Sequence, residues 1–378
     1  MVLQPKSDPN PESPLAQRSL EAVERAIAEL RRGGTVVVTA DEGDAVIARA
    51  AETVDCWPLP FFASTGVGAI TLAVTARRAS ILGLASANRT VQFSTSEPFT
   101  PDFLRKLIDP QIELGRVPPP GVSAKAAPLH SATDAAVLLA KGARLLPAVL
   151  VAPLTTQPAA WARAGERLMV TAAAIEAYER NQADDLRPIS EARVPLAGSA
   201  DTRIISFRPR DGGAEHLAIV IGTPDPAKAV LVRLHSECFT GDLLDSLRCD
   251  CGDQLRGAVA AIAKDGGGVL LYLAQEGRGI GLVNKLRAYT LQDQGFDTVD
   301  ANEQLGFDDD ERVYMPAVRM LRQLGFMRVR LLTNNPAKVG ALVRHGIEVT
   351  ERVAHAFPSN SHNWAYLQTK AKRSGHLL

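Results

Sequence analysis

The sequence has little cysteine: four residues in 378, at positions 56, 238, 249 and 251. That excludes the disulfide framework of a small secreted domain. It also lacks an excess of either charge. Lys and Arg together number 42, as do Asp and Glu, and the formal net charge is zero. A strongly basic nucleic-acid binder is excluded, while a local basic site for an anionic small molecule is not. No apolar run reaches the roughly 18 residues of a membrane helix. Residues 1–14 carry prolines and charges where a secretory signal has an apolar core. The expectation is a cytoplasmic protein with neither membrane nor nucleic acid as partner. Internal repeats, low-complexity tracts and a GxxxxGK[ST] phosphate loop are also missing from the sequence.

What is present reads as ordinary globular chain, 46% apolar and 22% charged. The length favours two domains. Residues 1–15 read as a disordered, proline-broken tail. Leu20, Val23, Ala26, Ile27 and Leu30 recur at helical spacing, and Gly33-Gly34 ends that helix. Thr35 to Thr39 reads as a buried strand, Asp44 to Thr53 as a helix, and Ala69 to Val74 as a strand. A helix from Asp134 to Gly142 and a strand from Ala148 to Val151 follow. The polar, proline-bearing stretch between Tyr178 and Arg203 marks a boundary near residue 190. Beyond it, strands at 229–234, 269–273 and 329–333 alternate with helices at 253–264, 282–294, 313–324 and 336–345. The expected fold class is α/β (α+β), with mixed α/β domains at 16–189 and 190–378.

Cys238, Cys249 and Cys251 lie within 14 residues, spaced C-x10-C-x-C, among Arg248, Asp250, Gly252 and Asp253. Free cysteine is usually buried in apolar core, but this setting is too polar for a core strand. Three thiolates can converge on one zinc ion at about 2.3 Å each, and three protein ligands leave a fourth position open for catalysis. His235 is a candidate fourth ligand, which would make the site structural. Three further segments are candidate site elements, two of them suited to an anion. Gln275 to Gly281 (QEGRGIG) joins a strand to a helix, with glycines that admit a ligand close to the backbone and Arg278 as a phosphate clamp; a plain turn with a surface arginine fits the segment equally. Asp308 to Arg312 (DDDER) reads as the acidic opening of a helix, which leaves Arg312 unaccounted for. Thr333 to Lys338 (TNNPAK) runs from a strand into a helix N-terminus, where free N–H groups and Lys338 favour an anion; a capped helix with a solvated lysine is the bland alternative.

Taken together, RLHSECFTGDLLDSLRCDCGDQL, QEGRGIGLVNKLRAYTLQDQGFDTVDANEQLGF, DDDER and RLLTNNPAKV resemble GTP cyclohydrolase II, the first enzyme of riboflavin synthesis. The resemblance spans about half the chain, from Ala192 to the C-terminus. It implies zinc on Cys238, Cys249 and Cys251. It implies GTP contacts at Arg233, Leu234, His235, Ser236, Glu237, Gln254, Glu276, Gly277, Arg278, Tyr289, Thr298, Thr333 and Lys338. Asp310 matches the family's proton acceptor and Arg312 its nucleophile. A guanidinium is a poor nucleophile, so electrostatic stabilisation of the transferring phosphoryl group is the alternative role for Arg312. The implied reaction opens the guanine imidazole ring, releases formate and pyrophosphate, uses Mg2+ on the triphosphate, and takes place in a homodimer. A paralogue with a partial reaction, a GTP-binding regulatory module and a bifunctional enzyme remain alternatives. Ala274 departs from the family's frequent arginine before QEGR, with an effect expected on neighbouring packing or charge.

The front half resembles a worn 3,4-dihydroxy-2-butanone 4-phosphate synthase, through AIAELRRGGTVVVTADEGD, GAITLAVTARRASILG and the Thr133-Asp134-Ala135-Ala136 stretch. The acidic loop that would hold magnesium is reduced to Glu42 and Asp44. Ala132 stands where the synthase has a histidine, and Asp134 where it has a glutamate. The resemblance therefore implies an inactive front domain with a structural, dimerising or regulatory role, in which Cys56 and His130 are ordinary structural residues.

Overall fold

A computed structural model describes residues 14–56, 68–84, 86–112, 121–155, 157–181, 183, 185–210, 212–373, 375 and 377. The expected tail at 1–15 falls almost wholly outside them, as do the side chains of Glu42 and Cys56.

Apolar runs in each half build one seven-stranded sheet. In the front half the strands are β1 (Val36–Thr39), β2 (Ala45–Ala50), β3 (Thr71–Thr75), β4 (Thr90–Thr95), β5 (Val122–Ala126), β6 (Ala148–Pro153) and β7 (Met169–Thr171). Their order is β5-β4-β3-β6-β2-β1-β7, antiparallel except for the β1–β7 pair. The helix expected at Asp44 to Thr53 is strand β2 followed by a 3-10 turn, Ala51–Cys56. Alanine content suggests helix, but the burial has period two. Val46, Ala48 and Ala50 pack under the helix Ala132–Gly142, whereas Ala45 and Ile47 face Ala152 and Ala162. A strand covered on both faces loses the polar alternation that would have revealed it. The helix Pro14–Arg31 buries the Leu20, Val23, Ala26, Ile27 and Leu30 stripe against the same layer.

The second sheet begins at Arg187, with β8 (Arg187–Arg193), β9 (Thr202–Arg208), β10 (His216–Gly222), β11 (Val230–Ser236), β12 (Gly267–Leu273), β13 (Arg328–Leu332) and β14 (Glu348–Val353). The order is β14-β13-β11-β12-β10-β9-β8. β11 runs parallel to both β12 and β13. The loops after these three strands therefore leave the sheet at the same end, where ligands of open α/β sheets bind. Alternation along β11 sends Val230, Val232 and Leu234 to the core under the helix Met315–Gln323. Leu231 faces the opposite layer, with the helix Cys251–Lys264, and Arg233 and His235 share its side of the strand.

The two halves share a core. Leu72, Val74, Phe93, Leu107 and Leu150 of the front half form one buried cluster with Ile280, Ala288, Leu291, Ala301, Leu305 and Phe307 of the back half. Polar contacts cross the same boundary. Thr75 Oγ1 donates to the Gly306 carbonyl at 2.7 Å, Arg78 Nη1 to the Gln304 carbonyl at 3.0 Å, and Arg287 pairs with Glu52 at 2.8 Å. The helix Leu282–Asp293 is thus packed from behind by the front domain.

Candidate active site

The first thiol follows β11 directly, and the third opens the helix Cys251–Lys264. The Sγ atoms of Cys238, Cys249 and Cys251 lie within 4.8 Å of one another, the sole such group of His, Cys, Asp or Glu donors among the described residues. Cys238 and Cys249 are 3.7 Å apart, sulfur to sulfur. The short helix Phe239–Asp242 bends over them, and only glycine fits at 241. A Cβ there would stand 2.7 Å from the Cys249 sulfur and 3.1 Å from that of Cys238. His235 is not in the cluster. Its Nε2 meets Asp242 Oδ1 at 3.0 Å, and the same carboxylate accepts from the Cys238 N–H at 3.0 Å and the Tyr272 hydroxyl at 2.9 Å.

The charge around the sulfurs favours a cation. The neighbouring Cys249 and Cys251 thiols hold Cys238 well below the ordinary thiol range, and the Lys285 ammonium, 3.0 Å from its sulfur, adds to this. That thiolate in turn pushes Cys249 and Cys251 up, because adjacent anions repel. A soft divalent cation would offset all three, and a thiolate donor set is what zinc prefers. The three residues therefore fit a metal ion.

A cleft opens beside the thiols at the carboxyl ends of β11, β12 and β13. Arg233, His235, Ser236, Glu237, Gln254, Glu276, Gly277, Arg278, Tyr289, Thr298, Arg312, Thr333 and Lys338 all line it, together with the three cysteines. Two expected residues do not line it. Leu234 alternates into the core, and its carbonyl accepts from Lys338 Nζ at 2.8 Å. Asp310 stands behind Arg312 and grips it at two points, Oδ1–Nε 2.7 Å and Oδ2–Nη2 2.6 Å. Burial works against the Arg312 charge, but Asp310 outweighs it and holds the guanidinium protonated; burial likewise opposes the Asp310 charge, and Arg312 keeps its carboxyl below the usual range. DDDER does not open a helix. It is a loop ahead of Met315–Gln323, whose start is set by Pro316. Its acids answer cations rather than a helix dipole: Asp308 pairs with Arg77, Asp309 with Arg278, and Asp310 with Arg312.

The loop after β12 holds Gly277 and Arg278 in the left-handed region, at φ 63° and 61°. For arginine this is a strained backbone, of the kind concentrated at functional sites. A Cβ on Gly279 would meet the Glu311 carbonyl oxygen at 2.9 Å, so the loop and DDDER are wedged together. Glu276 is buried and engaged, accepting from Phe239 N at 2.7 Å, Gly277 N at 2.8 Å and Lys285 Nζ at 2.9 Å. It anchors the lysine that faces the thiol. Burial and the nearby Glu276 push the Glu237 carboxyl up.

Several buried polar atoms here have no protein partner: Arg233 Nε, His235 Nδ1 and Ser236 Oγ on β11, and Tyr314 Oη and Gln275 Oε1 nearby. Buried polar atoms are almost always satisfied. Three orphans on consecutive or alternate positions of a strand that lines a cleft mark a place for a polar ligand. Arg233 is otherwise fixed by the Leu332 carbonyl at 3.0 Å and by Gln254. Thr333 Oγ1 accepts from Asn335 N at 3.0 Å, and Asn335 caps the helix Pro336–Arg344 through Ala337 N at 2.8 Å. Thr298 opens the helix Thr298–Gln304 and accepts from Gln292.

Sequence reasoning passed over Lys285, Arg248 and Asp242. Lys285 had a signal: it lies one turn before Tyr289, and residues four apart share a helix face. Arg248 stacks over the Tyr289 ring, 5.0 Å from its centroid, and points to the Tyr289 carbonyl. Asp242, four residues after Cys238, had none, because its role depends on strand β12 bringing Tyr272 beside it.

In the front half Asp44 and Asp134 have internal partners. Asp44 accepts from Ala132 N at 2.8 Å; Asp134 accepts from Arg89 at 2.6 Å, Thr90 Oγ1 at 2.7 Å and His130 N at 3.0 Å. His130 Nδ1 meets Glu176 at 2.7 Å.

Comparison with known proteins agrees with this geometry. The family model for GTP cyclohydrolase II matches residues 187–354, the second sheet with all three thiols. A GTP cyclohydrolase-2 of Azospirillum brasilense is 53% identical over 369 residues, covering 97% of this chain and 96% of that protein. A GTP cyclohydrolase-2 of Azotobacter vinelandii is 60% identical over 166 residues, 44% of this chain and 80% of that one. The riboflavin biosynthesis protein RibBA of Cytophaga hutchinsonii is 35% identical over 406 residues, covering 96% and 99%. With the first match running nearly end to end, the cleft and its thiols are those of a family member: the chain belongs to the GTP cyclohydrolase II family.

Proposed function

We propose that the chain hydrolyses GTP to 2,5-diamino-6-(5-phosphoribosylamino)pyrimidin-4(3H)-one, formate and pyrophosphate, the opening step of riboflavin biosynthesis, as a cytoplasmic homodimer. One observation carries the reading: three convergent sulfurs at the edge of a cleft whose other walls are cationic and carry unpartnered buried polar atoms. Cys238, Cys249 and Cys251 hold zinc, which when bound supplies Lewis acidity toward water at the purine ring. The Cys249 and Cys251 thiols favour the Cys238 thiolate, and Lys285 adds to this from 3.0 Å. Arg233, His235 and Ser236 present donors and acceptors to the nucleotide from one strand. Arg278, Arg312 and Lys338 supply positive charge for the triphosphate, which carries Mg2+.

Arg312 stabilises the transferring phosphoryl group electrostatically. Its guanidinium is held protonated by the Asp310 fork and has no lone pair to attack with. Asp310 is correspondingly a weak base and serves to orient Arg312. The front half is a scaffold without synthase activity, since Asp44 and Asp134 already serve internal partners.

Incubation with GTP and Mg2+ should yield formate and pyrophosphate in equal amounts. Intact GTP with the thiols fully zinc-loaded would reject the reading. Cys249→Ser should lower both zinc content and formate release, the latter by more than about a hundredfold. Ribulose 5-phosphate should yield no formate.

A further inference from the structure

A second cleft of about 480 Å³ lies between the two halves, a size typical of small-molecule sites. The loop after β12 separates it from the first: Glu276, Gly277 and Arg278 face the thiol cleft, and Ala274, Gln275 and Gly279 face this one. Its polar lining is dominated by donors. Arg31 Nε donates to the Ala143 carbonyl at 2.9 Å, and Arg144 Nη2 to the Ala274 carbonyl at 2.8 Å. Neither guanidinium has a carboxylate at ion-pair distance among the described residues, and burial, with the Arg31 charge next, disfavours the charge on Arg144. Glu237 and Glu276 act on Arg144 only from a distance. His216 is 8% exposed; its Nδ1 accepts from Ala274 N at 3.0 Å, which places its hydrogen on Nε2. That Nε2–H has no protein partner among the described residues. The carboxylates in the cleft are already engaged, Glu24 with the Tyr178 hydroxyl and Glu311 with Lys141 at 2.7 Å, which leaves Gln275 Oε1 as the acceptor with no protein partner.

Two guanidiniums without counter-charge and an unanswered imidazole N–H, brought together from different domains, form an incomplete set of donors. We propose that the interdomain cleft binds a small phosphate-bearing ligand through Arg31, Arg144 and His216, and that its occupancy is felt at the active-site loop. A phosphate group offers several acceptor oxygens and the charge to offset two guanidiniums. The route to the loop is short. The Ala274 peptide is held at its N–H by His216 and at its carbonyl by Arg144, two residues before the Glu276 that anchors Lys285. A ligand drawing Arg144 toward itself releases the Ala274 carbonyl and slows turnover. This coupling rests on the GTP-hydrolysing reading; the binding does not.

The test uses the full chain and inorganic phosphate, with glycerol 3-phosphate as a second arm to separate a monoester from the free ion. Phosphate at about 10 mM should raise the melting temperature of the wild type and of Lys338→Gln, which alters the thiol cleft. Arg31→Gln should weaken phosphate binding by about tenfold or more, and Arg31→Lys, which keeps charge but loses the fork, by less. Equilibrium dialysis reads both, and the Lys variant keeps the test intact if the Gln variant folds poorly. No rise in the wild type overturns the proposal, as does a rise lost in Lys338→Gln but kept in Arg31→Gln. With binding established, an unchanged rate of formate release from GTP would overturn the coupling while leaving the hydrolase reading in place.

Discussion

The buried aspartates of the front half and the polar groups on β11 of the back half are treated in opposite ways. In the front half, Asp134 is 1% exposed and accepts from Arg89, Thr90 and a backbone N–H, and Asp44 accepts from the helix start at Ala132. In the back half, Arg233, His235 and Ser236 each keep a buried atom with no protein partner, and three thiols crowd together. Satisfied polar groups stabilise a fold, whereas groups held unsatisfied call for something from outside. The contrast marks the back-half cleft as a place for a polar ligand.

The largest effect should come from the boundary itself. Phe307 is 1% exposed in the core that both sheets share, so Phe307→Ala should cost about 3–5 kcal/mol. Urea unfolding followed by circular dichroism and by tryptophan fluorescence should show one coincident shift; two separated transitions would mean the halves are independent. Next, Lys285→Met removes the cation beside Cys238 and leaves Glu276 without its ammonium partner. Zinc affinity should fall about 10–100-fold, measured against a competing chelator; unchanged affinity would show that Lys285 does not tune the thiols. On the other side of the comparison, Asp134→Asn should cost about 1–3 kcal/mol in stability without changing formate release. A loss of activity at constant stability would sink the scaffold role.

The remaining effect is a pH dependence. Burial lowers His216 from 6.5 to about 4. Below pH 6.5 the unfolded chain binds a proton that the folded chain does not, so stability falls as pH drops toward 4 and is constant above 6.5. His216→Gln should flatten that part of the melting-temperature curve; an unaltered slope would assign the dependence to other groups.

Much of the site could be read in advance because it is encoded locally. The C-x10-C-x-C spacing, QEGRGIG and TNNPAK each sit on one loop after one strand, so spacing and neighbouring chemistry suffice to find them. Reading failed where a residue's surroundings come from elsewhere. Strand β2 looked helical because alanine serves both periods, and only β1 and β6 on its flanks decide the matter. DDDER looked like a helix opening because its cations, Arg77 and Arg278, are distant in sequence.

By itself, then, the amino-acid order determined which candidate side chains stand together and which turns present them, since glycines, prolines and thiols act over a few residues. The assembled fold decided which of them face a ligand and which are consumed by partners. It also decided that the front domain packs behind the helix bearing Lys285 and Tyr289. Burial and pairing depend on atoms hundreds of residues apart, and no local pattern records them.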